Sequence, residues 1–176
     1  DPVSGDVILR TVTPSERIEW ETTFGVDTKL TKRLSGGAKF GVSLIDEKDA
    51  ALSSSFIYSL NATYQPLKNT SFTFGAERNF SVAEGGGTEG TYNLNFGARH
   101  AVNDLTSLGF NVAYSLSPQT GPDESELLIS PSISYKPAKD WDTTLSYEFS
   151  SEDEDGETTV ENAVILKVSY GKTLLK

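Results

Sequence analysis

Residues 18–30 read IEWETTFGVDTKL, and the spacing of apolar residues in this stretch decides the fold class. Ile18, Trp20 and Phe24 stand at even positions, whereas the odd positions hold Glu, Thr, Gly, Asp and Lys. Since successive side chains of a β-strand point to opposite faces of a sheet, this alternation predicts a strand with one apolar and one polar face. The pattern continues without a slip over more residues than a usual globular strand contains.

The same alternation recurs as far as Tyr170, and no segment follows the period of an amphipathic helix. About nine clear strands can be counted, and a weaker one over residues 6–12 brings the total to about ten. The sequence therefore predicts an all-β protein. Residues 1–15 form an N-terminal segment with at most one short strand, and residues 16–176 form one β domain.

The connections between these strands alternate between two kinds. One kind is compact, with turn-forming residues and mostly a basic side chain, at residues 32–36, 65–69, 101–104 and 136–140. The other kind is longer and acidic or glycine-rich, at residues 46–49, 83–87, 118–126 and 151–157. This alternation predicts an up-and-down antiparallel sheet with the compact turns at one end and the acidic loops at the other.

The composition excludes several classes of function. The chain has 176 residues with 15 Lys and Arg against 25 Asp and Glu, and its net charge of −10 argues against non-specific nucleic-acid binding. It contains no Cys, which excludes disulfides, thiolate metal sites and a Cys nucleophile. No run of about 18 apolar residues occurs, which excludes a transmembrane helix. The absence of Met, with the polar start DPVSG, predicts a chain processed or excised from something longer.

The polar face of the predicted strands carries mostly small residues. A soluble barrel would point this face at bulk water and fill it with Lys and Glu. Small hydroxyl, amide and glycine residues suit a crowded polar interior instead. They include Ser59, Asn61, Thr63, Thr73, Gly75, Asn93, Asn95, Gly97, Gly109, Asn111, Ser130, Ser132 and Ser134.

Aromatic residues on the apolar face form two rows at the strand ends. The row beside the compact turns consists of Tyr64, Tyr135, Trp141 and Tyr170. The row near the acidic loops consists of Trp20, Phe80, Tyr92 and Phe149. We expect the two rows to bracket an aliphatic band and to lie at the two membrane–water interfaces.

These features together resemble a class of proteins, the small bacterial outer-membrane β-barrels. The resemblance covers the span from about Glu16 to Tyr170, including the turns YQPLKN at residues 64–69 and YKPAKD at residues 135–140. It implies that residues 16–176 form a transmembrane, up-and-down barrel of about eight to ten antiparallel strands, with both termini periplasmic. Such barrels usually end on an aromatic residue, whereas this chain ends TLLK. This departure predicts an unusual terminal signal, a trimmed chain or one portion of a larger barrel.

The polar face also carries charged residues, which we predict to form a lumen charge network. They are Glu19, Glu21, Asp27, Lys29, Lys39, Glu77, Arg99, Asp142, Glu148 and Lys167. In a barrel of about eight to ten strands the interior is just wide enough for side chains, and a buried charge without a partner is costly. We therefore expect these charges to pair, with Asp142 and Lys167 joined in one ion pair.

Three further features need an interpretation. His100 is the sole histidine, and its parity predicts an interfacial position on the apolar face at a turn end instead of catalysis. For the acidic loop, weak divalent-cation binding is the alternative to a solvated loop, although the spacing does not fit an EF-hand. The carboxylates of that loop are Glu152, Asp153, Glu154, Asp155 and Glu157. Pro131 predicts a β-bulge or a strand edge because proline cannot donate to the ladder.

The sequence favours a non-enzymatic protein of the bacterial outer membrane that serves as a structural element or presents acidic extracellular loops. The expected partners are outer-membrane lipid, lipopolysaccharide and other envelope protein chains, with no nucleic acid, no cofactor and no catalytic residue. One alternative is a narrow, porin-like channel for cations or small polar solutes. A second is a soluble ligand-binding β-barrel with its apolar face turned inward.

Overall fold

The computed structural model describes residues 7–8, 17–47, 53–82, 88–118, 124–138, 140–154 and 156–171. These residues form ten β-strands and no helix. The strands are β1 (Val7–Ile8), β2 (Arg17–Lys29), β3 (Leu34–Glu47), β4 (Ser53–Leu67), β5 (Thr70–Val82), β6 (Thr88–Ala101), β7 (Thr106–Ser117), β8 (Glu124–Tyr135), β9 (Trp141–Glu154) and β10 (Glu157–Tyr170). The all-β prediction is confirmed. Nowhere in these ranges does a helix occur that is long and apolar enough to cross a membrane.

The ten strands form one antiparallel sheet in which every strand pairs with its neighbours in sequence. The predicted up-and-down order is therefore confirmed. The short N-terminal strand is also present, because Val7 pairs with Thr22 and Ile8 pairs with Glu21. Within the described ranges β10 pairs with β9 alone and β1 pairs with β2 alone, so the sheet is open.

The register keeps the two faces of the sheet distinct from one edge to the other. Phe24 pairs with Phe40, and Phe40 pairs with Tyr58 on the next strand. Each long strand thus adds its apolar set to one side, here called the apolar face, and its small and charged residues to the other, here called the polar face. Few side chains are buried, and two of them, Ser43 at 3% exposure and Ile45 at 4%, belong to the polar face.

The compact turns lie at one end of the sheet, as predicted. Residues 30–33 close with the Oγ1 of Thr31, which accepts hydrogen bonds from the backbone N–H of Arg33 at 3.1 Å and of Leu34 at 2.9 Å. In the turn between β6 and β7, Asn103 Oδ1 accepts hydrogen bonds from the backbone N–H of Leu105 at 2.9 Å and of Thr106 at 2.8 Å. In both turns a side-chain oxygen thus serves as the hydrogen-bond acceptor for two backbone N–H groups.

The prediction that residues 151–157 form an acidic loop is wrong. β9 continues through Glu154, β10 begins at Glu157, and these two residues pair directly. The connection is therefore a two-residue hairpin, with Gly156 in a left-handed conformation at φ 80°. Asp-Gly is a favoured sequence for such a turn, because its backbone twist matches that of the two strands.

Pro131 lies inside β8, and the predicted bulge or edge does not form there. Ile129 pairs with Phe149 and Ser132 pairs with Ser146, so the register with β9 is the same on both sides of the proline. Only the ladder positions at Ser130 and Pro131 are missing towards β9, whereas Pro131 pairs with Phe110 on the β7 side. The sheet accommodates the proline as a local gap in one ladder.

Candidate functional site

The polar face is crowded, and its glycines make room for side chains of the adjacent strands. An added Cβ at Gly75 would lie 2.5 Å from the Nδ2 of Asn95. At Gly109 it would lie 2.5 Å from the Oγ of Ser132. Such distances are too short for real Cβ atoms, so these glycines let a neighbouring polar side chain lie across the strand.

The cavities of the sheet lie along this polar face. The cavity across the middle strands has a volume of about 370 Å³ and receives one cationic side chain, that of Arg99. Its other polar side chains are hydroxyls and one amide, from Ser71, Thr73, Ser107, Asn111, Ser130, Ser132 and Ser134. These cavities therefore lie on the side of the sheet that carries the small polar side chains.

The ten predicted network residues share the polar face by strand register, and among those whose side chains the structure describes no ion pair joins two of them. Ser59 pairs with Lys39 on one side and with Glu77 on the other, for example. Among the described side chains, the ion pair formed is Lys136 Nζ to Asp142 Oδ2, at 3.5 Å. The side chain of Glu19 lies outside the described residues.

The expected ion pair between Asp142 and Lys167 is not formed. Lys167 stands opposite Thr144, one position along the polar face from Asp142. The carboxylate of Asp142 instead contacts Lys136 in the adjacent compact turn and accepts a hydrogen bond from Thr144 Oγ1 at 3.3 Å. The turn brings a closer ammonium group to Asp142 than the β10 strand does.

Glu77 is held by amides. Its Oε1 accepts hydrogen bonds from Asn79 Nδ2 at 3.1 Å and from Asn93 Nδ2 at 3.3 Å. Hydrogen bonds to a carboxylate offset part of the cost of removing it from water. Asn79 and Asn93 are therefore partners of a charge, a role that was not predicted for them.

A carboxylate cluster lies at the opposite end of the polar face from the compact turns. Glu124, Glu126 and Glu152 line a cavity of about 100 Å³ together with Ser115 and Ser117. Glu126 is paired directly with Ser115 on one side and with Glu152 on the other. The sequence analysis missed Glu124 and Glu126 because it assigned both to a loop, whereas β8 begins at Glu124.

The acidic run around the last hairpin is divided between the two faces. Glu152 and Glu154 lie on the polar face, whereas Asp153 lies on the apolar face, where its Oδ2 accepts from Thr158 Oγ1 at 3.1 Å. Asp155 lies outside the described residues. Within the described part of the chain, no group of three or more His, Asp or Glu side chains could hold a metal ion.

The eight predicted interface aromatics all fall on the apolar face by register. Trp141 and Tyr170 pair across β9 and β10, with ring centroids 5.1 Å apart. Trp141 is 45% exposed and Tyr64 is 46% exposed. The band between the two rows is not purely aliphatic as expected, because phenylalanines continue through it. They include Phe24, Phe40, Phe56, Phe74, Phe96 and Phe110.

Arg78 is a cation on the apolar face that the sequence analysis overlooked. Its guanidinium carbon lies 5.2 Å from the ring centroid of Phe80 and 5.0 Å from that of Tyr92. Its Nη1 donates to the carbonyl oxygen of Phe56 at 2.9 Å, just beyond the point where the β4–β5 ladder ends at Tyr58. An arginine at an apolar-face position two residues before Phe80 was the sequence signal for this cluster.

His100 stands at the compact-turn end of β6, on the apolar face. Its Nδ1 lies 2.8 Å from the Oγ1 of Thr70, which is its strand partner. The cavity residues of the polar face are on the opposite side of the sheet. This is the face and the strand end that parity predicts for His100.

The chain was also compared with known proteins. No protein-family model, no curated protein and no solved structure matches it.

Proposed function

We propose that this chain forms the wall of a bacterial outer-membrane β-barrel, with the apolar face against lipid and the polar face lining the interior. The observation that carries the proposal is the opposite character of the two faces. Phe24 is 59% exposed, Phe40 46% and Phe74 48% on the apolar side. The cavities and the small hydroxyl and amide side chains lie on the other side.

The extent of the apolar face favours a lipid environment. Large apolar side chains are exposed on each of the long strands β2 to β10. Soluble monomers rarely expose an apolar patch of more than a few hundred Å². The nine long strands have 12 to 15 residues, more than the about 9 to 11 that a tilted strand needs to cross a bilayer.

The position of the cavities argues against the soluble ligand-binding alternative. A calyx of that kind folds its apolar face inward around the ligand. Here the cavities lie among Ser, Thr, Asn and Gly residues of the polar face, and the large side chains of the apolar face are exposed. A lipid-like ligand would find none of these cavities on the apolar face.

The proposed role is structural and non-enzymatic: a wall element that contacts lipid and lipopolysaccharide and presents acidic residues at one end. Glu124, Glu126 and Glu152 would face the outside or a partner envelope chain. Lipopolysaccharide is itself anionic, so contact with these carboxylates would need divalent cations between them.

A cation channel is the second candidate, and the same three carboxylates favour it. In a closed barrel they would form an acidic mouth, and the hydroxyl and amide groups that line the separate cavity across the middle strands would suit small cations and polar solutes. Single-channel conductance in a planar bilayer separates the two candidates. Discrete cation-selective steps that Glu126→Gln reduces would support the channel, whereas a silent bilayer containing the folded protein would support the wall element.

Cell fractionation tests the location. The chain is expressed behind a secretion signal, and the envelope fraction is run on a detergent gel with and without boiling. We expect an outer-membrane band that migrates faster when unboiled, as a closed and detergent-resistant barrel does. A soluble periplasmic protein without a heat-dependent shift would contradict the proposal.

A matched pair of lysine substitutions tests which face meets lipid. Phe74→Lys places an ammonium on the apolar face and should destabilise a lipid-embedded sheet by about 2–4 kcal/mol, whereas Asn111→Lys on the exposed part of the polar face should cost far less. In water, an exposed Phe74 would tolerate the change to within about 0.5 kcal/mol. Equal urea midpoints for the two variants in lipid vesicles would reject the proposed orientation.

A further inference from the structure

The last strand of the sheet is a long, free edge. β10 has 14 residues, all exposed, and within the described ranges it pairs with β9 alone. Val164 is 73% exposed, Leu166 64% and Val168 54%. An exposed apolar edge strand is a template for pairing with another strand, and proteins that keep such an edge free blunt it with proline, a bulge or charged side chains. β10 contains no proline and no bulge, and its charged residues Glu157, Glu161 and Lys167 all lie on the polar face.

The direction of the strands hinders pairing of β10 with the first long strand, β2, of the same chain. In the alternating order of the sheet, β2 and β10 run in the same direction, so a seam between them would be parallel. An antiparallel seam would need β1, of which Val7 and Ile8 are paired in the sheet. β10 therefore finds no antiparallel partner of comparable length among the described strands.

The backbone groups available at this edge follow from one hydrogen bond. The N–H of Gly171 donates to the carbonyl of Asp140 at 3.0 Å, so position 171 turns its backbone towards β9. Because backbone direction alternates along a strand, the odd positions of β10 face β9 and the even positions face the free edge. Val164, Leu166 and Val168 thus present their N–H and C=O groups outward.

We propose that β10 pairs antiparallel with β10 of a second copy of this chain, centred on Val164. In this register Val164 stands opposite its own copy, and Leu166 stands opposite Asn162. All outward-facing even positions then meet outward-facing even positions, as a hydrogen-bonded antiparallel pair requires. The two-fold axis is normal to the sheet, so the apolar and polar faces of the two copies continue each other.

Strand overlap and the charges on the polar face together select this register. Centring on Val164 puts Lys167 of each copy directly opposite Glu161 of the other, which makes two symmetric ion pairs, and it pairs residues 158–170. Centring on Asn162 would put Lys167 opposite Glu157 but would pair only residues 157–167, and centring on position 163 would put Lys167 opposite Thr159. Within one chain, Glu161 pairs with Ser150 and stands diagonal to Glu148 and Glu152, so it belongs to a group of like charges. An opposite charge directly across the seam offsets that repulsion.

In a bilayer the backbone N–H and C=O groups of an edge strand must find partners, because no water is present to bind them. In that respect the inference rests on the proposed function. The register and the charges do not depend on lipid. In either setting the partner is a second copy, and the product is one continuous sheet shared by two chains.

Cysteine cross-linking tests the seam cleanly because the chain contains no Cys. Val164→Cys would place two thiols on opposed hydrogen-bonded positions with Cα atoms about 5.5 Å apart, within the range of a disulfide. We expect efficient oxidation to a covalent dimer. Val168→Cys is the matched control, because its two copies would be roughly 27 Å apart along the seam and should stay unlinked.

Charge reversal tests the register. Glu161→Lys and Lys167→Glu each put like charges across the seam and should raise the dimer dissociation constant about tenfold, while the double variant restores opposite pairs and should return it to within about twofold. Glu21→Lys, far from the seam, controls for the change in net charge. No cross-link at position 164, equal cross-linking at 164 and 168, or a double variant without rescue would each overturn the proposal.

The failure of this inference is distinguishable from failure of the proposed function. A soluble protein that still cross-links at position 164 would keep the seam and reject the membrane location. A heat-modifiable outer-membrane protein that stays monomeric would keep the location and reject the seam.

Discussion

Glu126 on β8 and Glu152 on β9 are direct cross-strand partners on the polar face. Like charges directly opposite one another in a sheet are destabilising. Glu124 lines the same small cavity, so the negative potential there comes from three carboxylates. The stability of the sheet is thereby lowered at the end that presents the acidic residues.

Neutralising one member of this pair should stabilise the protein. We expect Glu126→Gln to raise the free energy of unfolding by about 0.2–1 kcal/mol, because it removes the repulsion and keeps the shape of the side chain. Urea unfolding followed by tryptophan fluorescence measures the change. Glu21→Gln is the control. This substitution removes the same charge, but Glu21 stands opposite Ser43 and Ile8, so it relieves no pair of like charges. Equal stabilisation by both variants would attribute the effect to net charge alone.

A second prediction concerns the crowding of the polar face at Gly109 and Ser132. An added methyl at Gly109 would lie 2.5 Å from the Oγ of Ser132 but 3.9 Å from its Cβ. Gly109→Ala should therefore destabilise the sheet by about 1–3 kcal/mol through overpacking. The double variant Gly109→Ala/Ser132→Ala removes the clashing oxygen and should recover most of the loss, by comparison with Ser132→Ala alone. Additive losses in this double-mutant cycle would refute the contact.

The face of each residue could be predicted from the sequence because it depends on local geometry. Side chains alternate along a strand, so parity alone assigns Trp20 to the apolar face and Glu21 to the polar face, and the antiparallel register preserves that assignment. The up-and-down order followed from the alternating turns. The open edge could not be predicted, because it depends on what pairs with β10 and no local pattern reports that.

Individual partners were harder to predict because they depend on the exact ends of strands. Asp142 was expected to bind Lys167, but the compact turn brings Lys136 to 3.5 Å. The charges of the acidic run are typical of a solvated loop, whereas the Asp-Gly pair at residues 155–156 is the sequence signal for a tight turn. Assigning that run to a loop also hid the cluster of Glu126 and Glu152, which forms only once both strands extend to the acidic end.

The third prediction tests the hairpin at Gly156. Its φ of 80° lies in the left-handed region, which costs a residue with a Cβ about 1–2 kcal/mol. We expect Gly156→Ala to lower the free energy of unfolding by about that amount. Gly156→Asn should cost less because asparagine tolerates this conformation better. An added Cβ meets nothing within 4 Å, so crowding cannot explain a loss, and equal stability of all three proteins would contradict the turn geometry.

The last prediction concerns Arg78, whose guanidinium joins three strands at the acidic end of the apolar face. It lies over the rings of Phe80 and Tyr92 and donates to the Phe56 carbonyl beyond the end of the β4–β5 ladder. Arg78→Ala removes both the stacking and the hydrogen bond and should destabilise the protein by about 2–3 kcal/mol.

Arg78→Lys keeps the charge but loses the planar group that stacks and donates at the same time, so we expect about half of that loss. Arg99→Ala is the matched control, because this exposed arginine lies on the polar face and its removal should change stability by less than about 0.5 kcal/mol. Urea midpoints and amide exchange at residues 56–58 measure the effect. Arg78 anchors the separating ends of β4 and β5 only if exchange there accelerates in Arg78→Ala and stays unchanged in Arg99→Ala.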